Sequence, residues 1–277
     1  QHAHVDQNSQ EVALEKKKNK CRLLYKLLIC ILAAIFRVSA CVLSYIFYLY
    51  WAGQKGYNDL PQPTGTKLED LTVNWDALRK INPDVVGWVI VPNTPINYPI
   101  VQTDNNNTYL RKSFGGEVGN LVTYGCVFLD YKNSPTFTDE MSTLYGHNMN
   151  NGSMFSYISE LGDQEKFNSL AEYFVLTPAG NYRIKPFAFD HISGTEKIVI
   201  TNFGTVENRV EYIQDKMNRS IVYVPSNLPD TLYMSHIFMF STCDNYNTDN
   251  RFVLFLYVDE STIPGSVGVS QVLKSMK

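Results

Sequence analysis

A long apolar stretch near the N-terminus sets the first limit on how this chain can fold. It runs from about Leu23 to Trp51, and roughly 20 mostly apolar residues are enough for a helix to cross a bilayer. Basic residues precede the stretch and aromatic residues crowd its far end, as at a membrane interface: Lys16, Lys17, Lys18, Lys20 and Arg22, then Tyr45, Tyr48, Tyr50 and Trp51. The pattern predicts an uncleaved signal anchor with a cytoplasmic N-terminus and an extracellular remainder.

One charge, Arg37, interrupts the apolar stretch. An arginine at the centre of a spanning helix costs about 2.5–3.5 kcal/mol on insertion scales. Either Arg37 reaches toward an interface, or the spanning part is shifted toward residues 38–52. Two alternatives to an anchor are a buried or interfacial amphipathic helix and a cleaved signal peptide, although no small-residue cleavage site follows the stretch.

The remainder of the chain predicts a tether followed by one β-rich domain. The full division is a basic tail at 1–22, the anchor at 23–52, a Gly- and Pro-rich tether at 53–70 and a catalytic domain at 71–277. Short β-branched and aromatic runs, such as "VVGWVIVP", "INYPIVQT" and "EYFVLTP", predict strands. Helical patterns such as "VENRVEYIQDKM" are inserted between them without regular alternation. The fold class is mainly β (α+β), a closed or partly closed β-barrel with peripheral helices.

Charge and cysteine content limit the partners and the chemistry. The net charge of −3 is too small to suggest nucleic acid. Three cysteines, Cys21, Cys30 and Cys41, lie in or beside the anchor, which leaves Cys126 and Cys243 outside. A disulfide-stabilised secreted domain carries more cysteines, so two independent thiols are favoured over a bond between them. No Cys/His spacing suggests zinc.

Cys243 is the candidate nucleophile. In "HIFMFSTCDNYNTDNRFVLFLYV" an apolar run ends on Cys243, a polar loop follows, and Arg251 opens a second apolar run. A hairpin would return Arg251 to the side of Cys243, where a cation favours the reactive thiolate. Cys126, in "YGCVFLD", is interpreted as a core residue.

The acid–base partner of such a nucleophile is most often histidine, and three histidines lie beyond the anchor. His147 ends a predicted strand in "TLYGHNMNNG", which favours it because catalytic side chains gather at strand ends and loops. His191 and His236 remain open as alternatives.

Two sequence blocks resemble the paired signatures of sortases, the membrane-anchored cysteine transpeptidases of Gram-positive bacteria. They are "TLYGHNM" and "FMFSTCDNYNTDNRFVL", with Met239 and Phe240 in place of the usual Thr-Leu before Ser241, Thr242 and Cys243. "WDALRKINPDVVGWVIVPNTPINYPIVQTDNNNTYL" and "GCVFLDYKN" are similar to class B sortases in particular. The resemblance covers about residues 70–260.

The resemblance implies an eight-stranded sortase barrel and a mechanism without metal or organic cofactor. Cys243 would attack the threonine carbonyl of an LPxTG- or NPxTN-like sorting signal, His147 would protonate the departing amine, and Arg251 would bind the substrate and the oxyanion. An amine of a peptidoglycan precursor or cross-bridge would resolve the thioester, so that surface proteins and the cell wall are the implied partners.

The same matching assigns Asn106, Leu110 and Ser241 to the substrate groove. Two other hypotheses remain from the sequence alone. An extracellular cysteine peptidase would use the same side chains with water as the acceptor, and a catalytically idle module would only bind a surface partner.

Overall fold

The computed structural model of the protein describes residues 2–117, 124–170, 172–243 and 249–276. It divides into two compact units, which are described separately.

The first unit, residues 1–51, is helical. Helix α1 extends from His2 to Asn58. Its part from Leu14 to Asn58 is long and apolar enough to cross a membrane, judged by length and composition alone. A long apolar N-terminal helix, as predicted, is therefore present and suggests a membrane anchor.

The second unit, residues 52–277, contains a closed eight-stranded β-barrel. Its strands are β1 (Val85–Ile90), β2 (Asn97–Val101), β3 (Val127–Leu129), β4 (Met141–Tyr145), β5 (Tyr173–Thr177), β6 (Gly180–Ser193), β7 (Ile237–Cys243) and β8 (Asn250–Ser261). They neighbour one another in the order β1-β2-β3-β4-β7-β8-β6-β5, and β5 pairs with β1 to close the barrel. The pairs β2–β3 and β4–β7 are parallel and the others antiparallel. The predicted eight-stranded barrel is confirmed.

Strand β7 shows which side of the sheet faces the barrel interior. Phe240 contacts Tyr173 of β5 with ring centroids 6.1 Å apart, although β8 and β6 lie between β7 and β5 in the sheet. Such a contact is possible only across the interior. Because side chains alternate along a strand, Met239, Ser241 and Cys243 face outward.

Peripheral helices accompany the barrel. They are α2 (Trp75–Ile81), α3 (Ser156–Ser159), α4 (Gln164–Ser169), α5 (Val206–Arg219) and α6 (Val269–Ser275). Ile213 of α5 packs with outward residues of four strands in an outer cluster that includes Met141, Phe187, Ile237, Met239, Val253, Phe255 and Tyr257. This cover and the barrel interior together bury six of the seven β7 residues.

Residues 53–70 differ from the predicted tether. The segment opens with the end of α1, which runs to Asn58. Leu60 and Leu68 are buried, and Thr64 forms a β-bridge with Thr72. Although the segment is mostly polar, its buried leucines pack within the second unit.

A buried carboxylate, Asp190, lies beneath α5. It is 2% exposed, neither of its oxygens has a hydrogen-bond partner among the described residues, and Arg219 Nε lies 3.9 Å from Oδ2. Burial raises the pKa of Asp190 to about 6, opposed by the charges of Arg219 and Lys216 and assisted by Asp215 and Glu196. Because its folded-state pKa is raised, Asp190 contributes its stability at low pH and loses it as pH rises from about 4 to about 6.

Replacing Asp190 by asparagine should therefore stabilise the protein at pH 7.5, by up to about 3 kcal/mol. Thermal unfolding of the full chain in detergent, followed from pH 4 to pH 8, measures the effect. Asp215→Asn is the control, because Asp215 belongs to the same charge group but has a side chain that is 53% exposed. A loss of stability in Asp190→Asn at pH 7.5 would contradict the sign of the shift.

Candidate active site

Cys243 and Arg251 lie directly opposite each other on neighbouring strands. Cys243 ends β7, Arg251 stands at the start of β8, and the antiparallel register pairs the two residues. Side chains of directly opposed residues project to the same face, about 4.5–5.5 Å apart at Cβ. Cys243 is exposed, so the predicted hairpin presents a thiol and a guanidinium together on the outer face.

His147 reaches the same place through the parallel pair β4–β7. Tyr145 pairs with Ser241, and the Gly146 N–H donates to the Ser241 carbonyl at 3.1 Å. Parallel strands advance together, so two residues further on His147 comes level with Cys243. The Asn148 side chain then donates from Nδ2 to the Cys243 carbonyl at 2.9 Å. Asn148 thereby ties the two segments to each other.

Backbone groups orient the His147 ring. Nε2 lies 2.6 Å from the Leu110 carbonyl oxygen, and because a carbonyl can only accept a hydrogen bond, Nε2 carries the proton. Nδ1 is therefore the ring nitrogen left for proton exchange. The ring also packs against Gly125, where a Cβ would lie 2.9 Å from His147 Cδ2 and where φ is +57°. Only glycine combines this backbone conformation with that close approach.

The six residues singled out from the sequence line one cleft of about 330 Å³. The full lining is Asn106, Asn107, Leu110, Phe128, Tyr145, Gly146, His147, Ser241, Thr242, Cys243 and Arg251. Ser241 is 1% exposed, and its hydroxyl has no partner among the described residues. A buried hydroxyl without a partner is costly, so Ser241 is suited to a hydrogen bond with a bound ligand.

Asn106 and Leu110 provide different groups for contact with a ligand than Ser241 does. The Asn106 amide is engaged at both ends, because Oδ1 accepts from the Tyr131 N–H at 3.0 Å and Nδ2 donates to Asp130 Oδ2 at 2.8 Å. Its second N–H remains for a ligand. Leu110 is 39% exposed and offers apolar surface at the cleft, while its carbonyl holds His147.

The other thiol of the barrel unit, Cys126, has different surroundings. It is fully buried, and desolvation raises the pKa of Cys126 to about 12. Tyr57 Oη lies 3.4 Å from its sulfur and donates to the neighbouring Gly125 carbonyl. Burial keeps this thiol protonated, which agrees with the interpretation of Cys126 as a core residue.

The two alternative histidines lie outside the cleft lining. His236 is half-buried and its ring packs between Phe238 and Tyr182, with ring centroids 4.8 and 5.1 Å away. Desolvation lowers the pKa of His236 to about 4. His191 is exposed and stacks on Phe252 at 4.6 Å. The geometry therefore favours His147. Within the described ranges, no group of three His, Cys, Asp or Glu side chains could hold a metal ion.

Sequence reasoning missed four residues of the site: Gly125, Asp130, Tyr145 and Asn148. Asn148 had a usable signal, because an amide directly after a candidate histidine is well placed to bind neighbouring backbone. The others depend on contacts across strands and carry no local signal.

Comparisons with known proteins agree with this geometry. No protein-family model matches the chain. The chain is 31% identical to sortase B of Listeria monocytogenes over 167 residues, which are 60% of this chain and 65% of that protein, slightly less than two thirds of its length. A crystal structure of sortase B from Bacillus anthracis in complex with AAEK1 is 26% identical, with a TM-score of 0.65, and the match covers 76% of this chain and 98% of that one.

Two further solved structures match at 25% identity. A Staphylococcus aureus sortase B–substrate complex has a TM-score of 0.60 and covers 66% of this chain and 83% of that one. A sortase B complexed with triglycine has a TM-score of 0.59 and covers 66% of this chain and 84% of that one. The barrel fold is that of the solved sortase B structures, and the chain is similar in sequence to sortase B.

Proposed function

We propose that this protein is a cysteine transpeptidase that cleaves a sorting signal after threonine and joins the released protein to a cell-wall amine. The observation that carries the proposal is the convergence of Cys243, His147 and Arg251 at one cleft, although His147 and Cys243 are 96 positions apart in the sequence. An exposed thiol, an imidazole and a guanidinium are the three groups that thiol-based acyl transfer needs. Similarity to sortase B supports the same chemistry.

In the first half-reaction the Cys243 thiolate attacks the threonine carbonyl carbon of an LPxTG- or NPxTN-like signal. The carbonyl oxygen becomes an oxyanion while the sulfur–carbon bond forms. Collapse of this intermediate breaks the peptide bond, and His147 donates the proton at Nδ1 to the departing amine. The products are a thioacyl enzyme, a neutral imidazole and the released C-terminal peptide.

Arg251 and the cleft walls bind the signal in this scheme. The guanidinium presents two parallel N–H donors, which can hold the oxyanion and a substrate carbonyl together. The Ser241 hydroxyl provides a further donor, and the free N–H of Asn106 with the side chain of Leu110 provides polar and apolar contacts. Arg251 is fixed on both sides by strand pairing, to Cys243 and to Ile192.

In the second half-reaction an amine attacks the thioester carbonyl. His147 accepts the amine proton at Nδ1, a new amide bond forms, and the Cys243 thiolate leaves. The acceptor is an amine of a peptidoglycan precursor or cross-bridge, and the sortase B complexed with triglycine supports a glycine-like amine. The S. aureus sortase B–substrate complex supports a peptide as the acyl donor.

Helix α1 gives the proposed location. Its apolar part anchors the chain in the cell membrane, the basic residues before it remain cytoplasmic, and the barrel is extracellular beside the cell wall. This arrangement brings the cleft to both surface proteins and peptidoglycan amines.

The direct experiment supplies the full chain in detergent with sorting-signal peptides of the xPxTG and NPxTx types, with and without triglycine. Mass spectrometry separates the ligated product from the hydrolysed acid. Ligation in excess of hydrolysis supports the transpeptidase, and hydrolysis alone identifies a peptidase. Absence of both products, together with no adduct at Cys243, would favour a binding module.

Cys243→Ala should abolish cleavage and transfer and leave the fold intact, because the exposed thiol contributes little packing. Cys126→Ala is the matched control, which removes a buried thiol and should retain activity with a modest loss of stability from the small cavity. Product formation and thermal unfolding are measured on both variants. Activity in Cys243→Ala, or inactivity in a folded Cys126→Ala, would assign the nucleophile to another group.

His147→Ala should reduce turnover about 10²–10⁴-fold, the usual contribution of a general acid–base group. His191→Ala should remain within about tenfold of the parent, because general acid–base catalysis is assigned to a different ring. Steady-state kinetics with a single peptide compares the two. The reverse ranking would remove His147 from the mechanism.

Arg251→Lys separates charge from geometry. Losing one preorganised oxyanion donor costs about 2.7–4 kcal/mol, so we expect kcat/KM to fall roughly 10²-fold or more even though the charge is kept. A small neutral alkylator should label Cys243 at nearly the parental rate, since alkylation needs no oxyanion donor. Near-parental transfer, or alkylation that falls in step with turnover, would show that Arg251 acts only through its charge.

A further inference from the structure

Asp130 is a buried carboxylate that contacts both walls of the cleft from behind. It follows β3 directly and is 2% exposed. Its Oδ2 accepts hydrogen bonds from Asn106 Nδ2 at 2.8 Å and from Tyr145 Oη at 3.1 Å, and its Oδ1 accepts from the Lys132 N–H at 2.9 Å. Two of these three donors belong to residues that line the cleft. A buried charge is tolerated when such donors satisfy it.

The carboxylate determines which way the Asn106 amide points. The Tyr131 N–H can only donate, so Asn106 Oδ1 faces it, and Asp130 can only accept, so Nδ2 faces Asp130. Both ends of the amide are thus assigned by partners outside the cleft. Without the negative charge, the preference for this orientation would weaken.

Asp130 also acts on the opposite wall of the cleft, where Tyr145 connects it to Arg251. The guanidinium carbon of Arg251 lies 5.9 Å from the centroid of the Tyr145 ring, within the range of a cation–π interaction. Burial and then the Asp130 charge raise the pKa of Tyr145, so the phenol stays protonated and donates to the carboxylate. This charge-assisted hydrogen bond fixes the ring on which Arg251 rests.

The carboxylate is not the only group that holds the turn after β3. The Asp130 main-chain carbonyl accepts from Gln102 Nε2 at 2.8 Å and from the Asn133 N–H at 3.0 Å. These main-chain contacts and the bond from the Lys132 N–H to Oδ1 hold the corner, while Oδ2 turns toward Asn106 and Tyr145. The distribution of contacts therefore separates the structural part of Asp130 from the part that faces the cleft.

We propose that Asp130 is a positioning residue for the cleft: through Asn106 it orients a donor on one wall, and through Tyr145 it holds the Arg251 guanidinium on the other. Asp130 itself touches no substrate. The proposal rests on the proposed function for its kinetic consequences, and its structural consequence, the immobilisation of Arg251, is independent of any activity.

The test uses Asp130→Asn in the full chain, with the parent and Arg251→Lys measured beside it. We expect kcat/KM for ligation to fall about tenfold or more in the parent background and less than about threefold in the Arg251→Lys background, because residues in one network couple. Equal losses in the two backgrounds would overturn the action through Arg251. Small-molecule alkylation of Cys243 should stay at the parental rate.

Asp139→Asn is the matched control for a merely structural carboxylate. Asp139 lies in the same connection between β3 and β4, and its Oδ2 accepts from Asn133 Nδ2 and from the Ser134 N–H, both at 2.7 Å. Among the described residues, no hydrogen bond or ion pair joins its side chain to the cleft lining. This variant should lose stability and keep the parental kcat/KM, whereas a kinetic loss equal to that of Asp130→Asn would overturn the positioning role.

A labelling measurement decides the proposal without turnover. Phenylglyoxal modifies arginine side chains, and peptide mass spectrometry gives the rate at Arg251 relative to Arg79, whose side chain is 47% exposed. The relative rate should rise about twofold or more in Asp130→Asn, since loss of one coupled contact is worth at least this factor. An unchanged rate would overturn the proposal whether or not the parent is a transpeptidase. A parent without ligation but with the expected labelling change would overturn only the proposed function.

Tyr145→Phe keeps the result decisive if Asp130→Asn does not fold. It removes the hydroxyl that joins Asp130 to the ring and leaves the ring under Arg251. In Tyr145→Phe, kcat/KM for ligation should fall and the relative labelling rate of Arg251 should rise, as in Asp130→Asn. Parental values of both quantities would overturn the proposal.

Discussion

The parallel pairing of β4 with β7 is the contact on which the site depends. It brings together two strand ends that are separated by α3, α4, β5, β6 and α5. Because both strands run in the same direction, one register fixes how far each C-terminal end projects. A slip by one residue would turn Cys243 from the outer face to the interior. The interior aromatic contacts of Phe238 and Phe240 oppose such a slip.

Two cysteines close to the cleft differ in their burial. Cys126 and Cys243 both belong to segments that lead into or out of barrel strands, yet one is enclosed and the other exposed. Enclosure raises the pKa of Cys126 to about 12, so that it serves as a small apolar side chain. Cys126 is still close to the cleft, because Tyr57 donates a hydrogen bond to the carbonyl of the adjacent Gly125, against which the His147 ring packs. Tyr57, at the end of α1, therefore stabilises the backbone at Gly125, and both residues belong to the second compact unit.

The sequence predicts the parts of this structure that depend on local pattern. The β7–β8 hairpin follows from two apolar runs and a polar loop, and it places Arg251 beside Cys243. The spacing of Val206, Val210, Ile213 and Met217 predicts one apolar, buried face for α5. The structure instead buries Arg209 and Lys216 with Ile213. Arg209 is accommodated by Glu140 at 3.1 Å and Lys216 by Asp215 at 3.1 Å. Periodicity alone could not predict these ion pairs, which allow charges to face the barrel.

The arrangement of the site residues likewise could not be predicted from local sequence pattern alone. The proximity of His147 to Cys243 follows from barrel topology, and the sequence reached it through resemblance to sortases rather than through spacing. Asp130 was missed because its partners, Asn106 and Tyr145, come from a loop and a strand that meet only in the folded chain. Its position after a short apolar run resembles any turn residue. Only the hydrogen bonds distinguish it.

Rigidity is distributed unevenly around the cleft, and this follows from strand order. Strand β8 pairs with β6 on one side and β7 on the other, so the backbone of Arg251 is held from both sides. Cys243 is the last residue of its strand, and a side-chain amide from Asn148 holds its carbonyl where the ladder ends. Electrostatic stabilisation of an oxyanion requires donors that do not reorganise during the reaction, whereas a nucleophile must accept a new covalent bond and release it. A guanidinium on a central strand and a thiol at a strand end meet these two requirements, and the barrel supplies both from one hairpin.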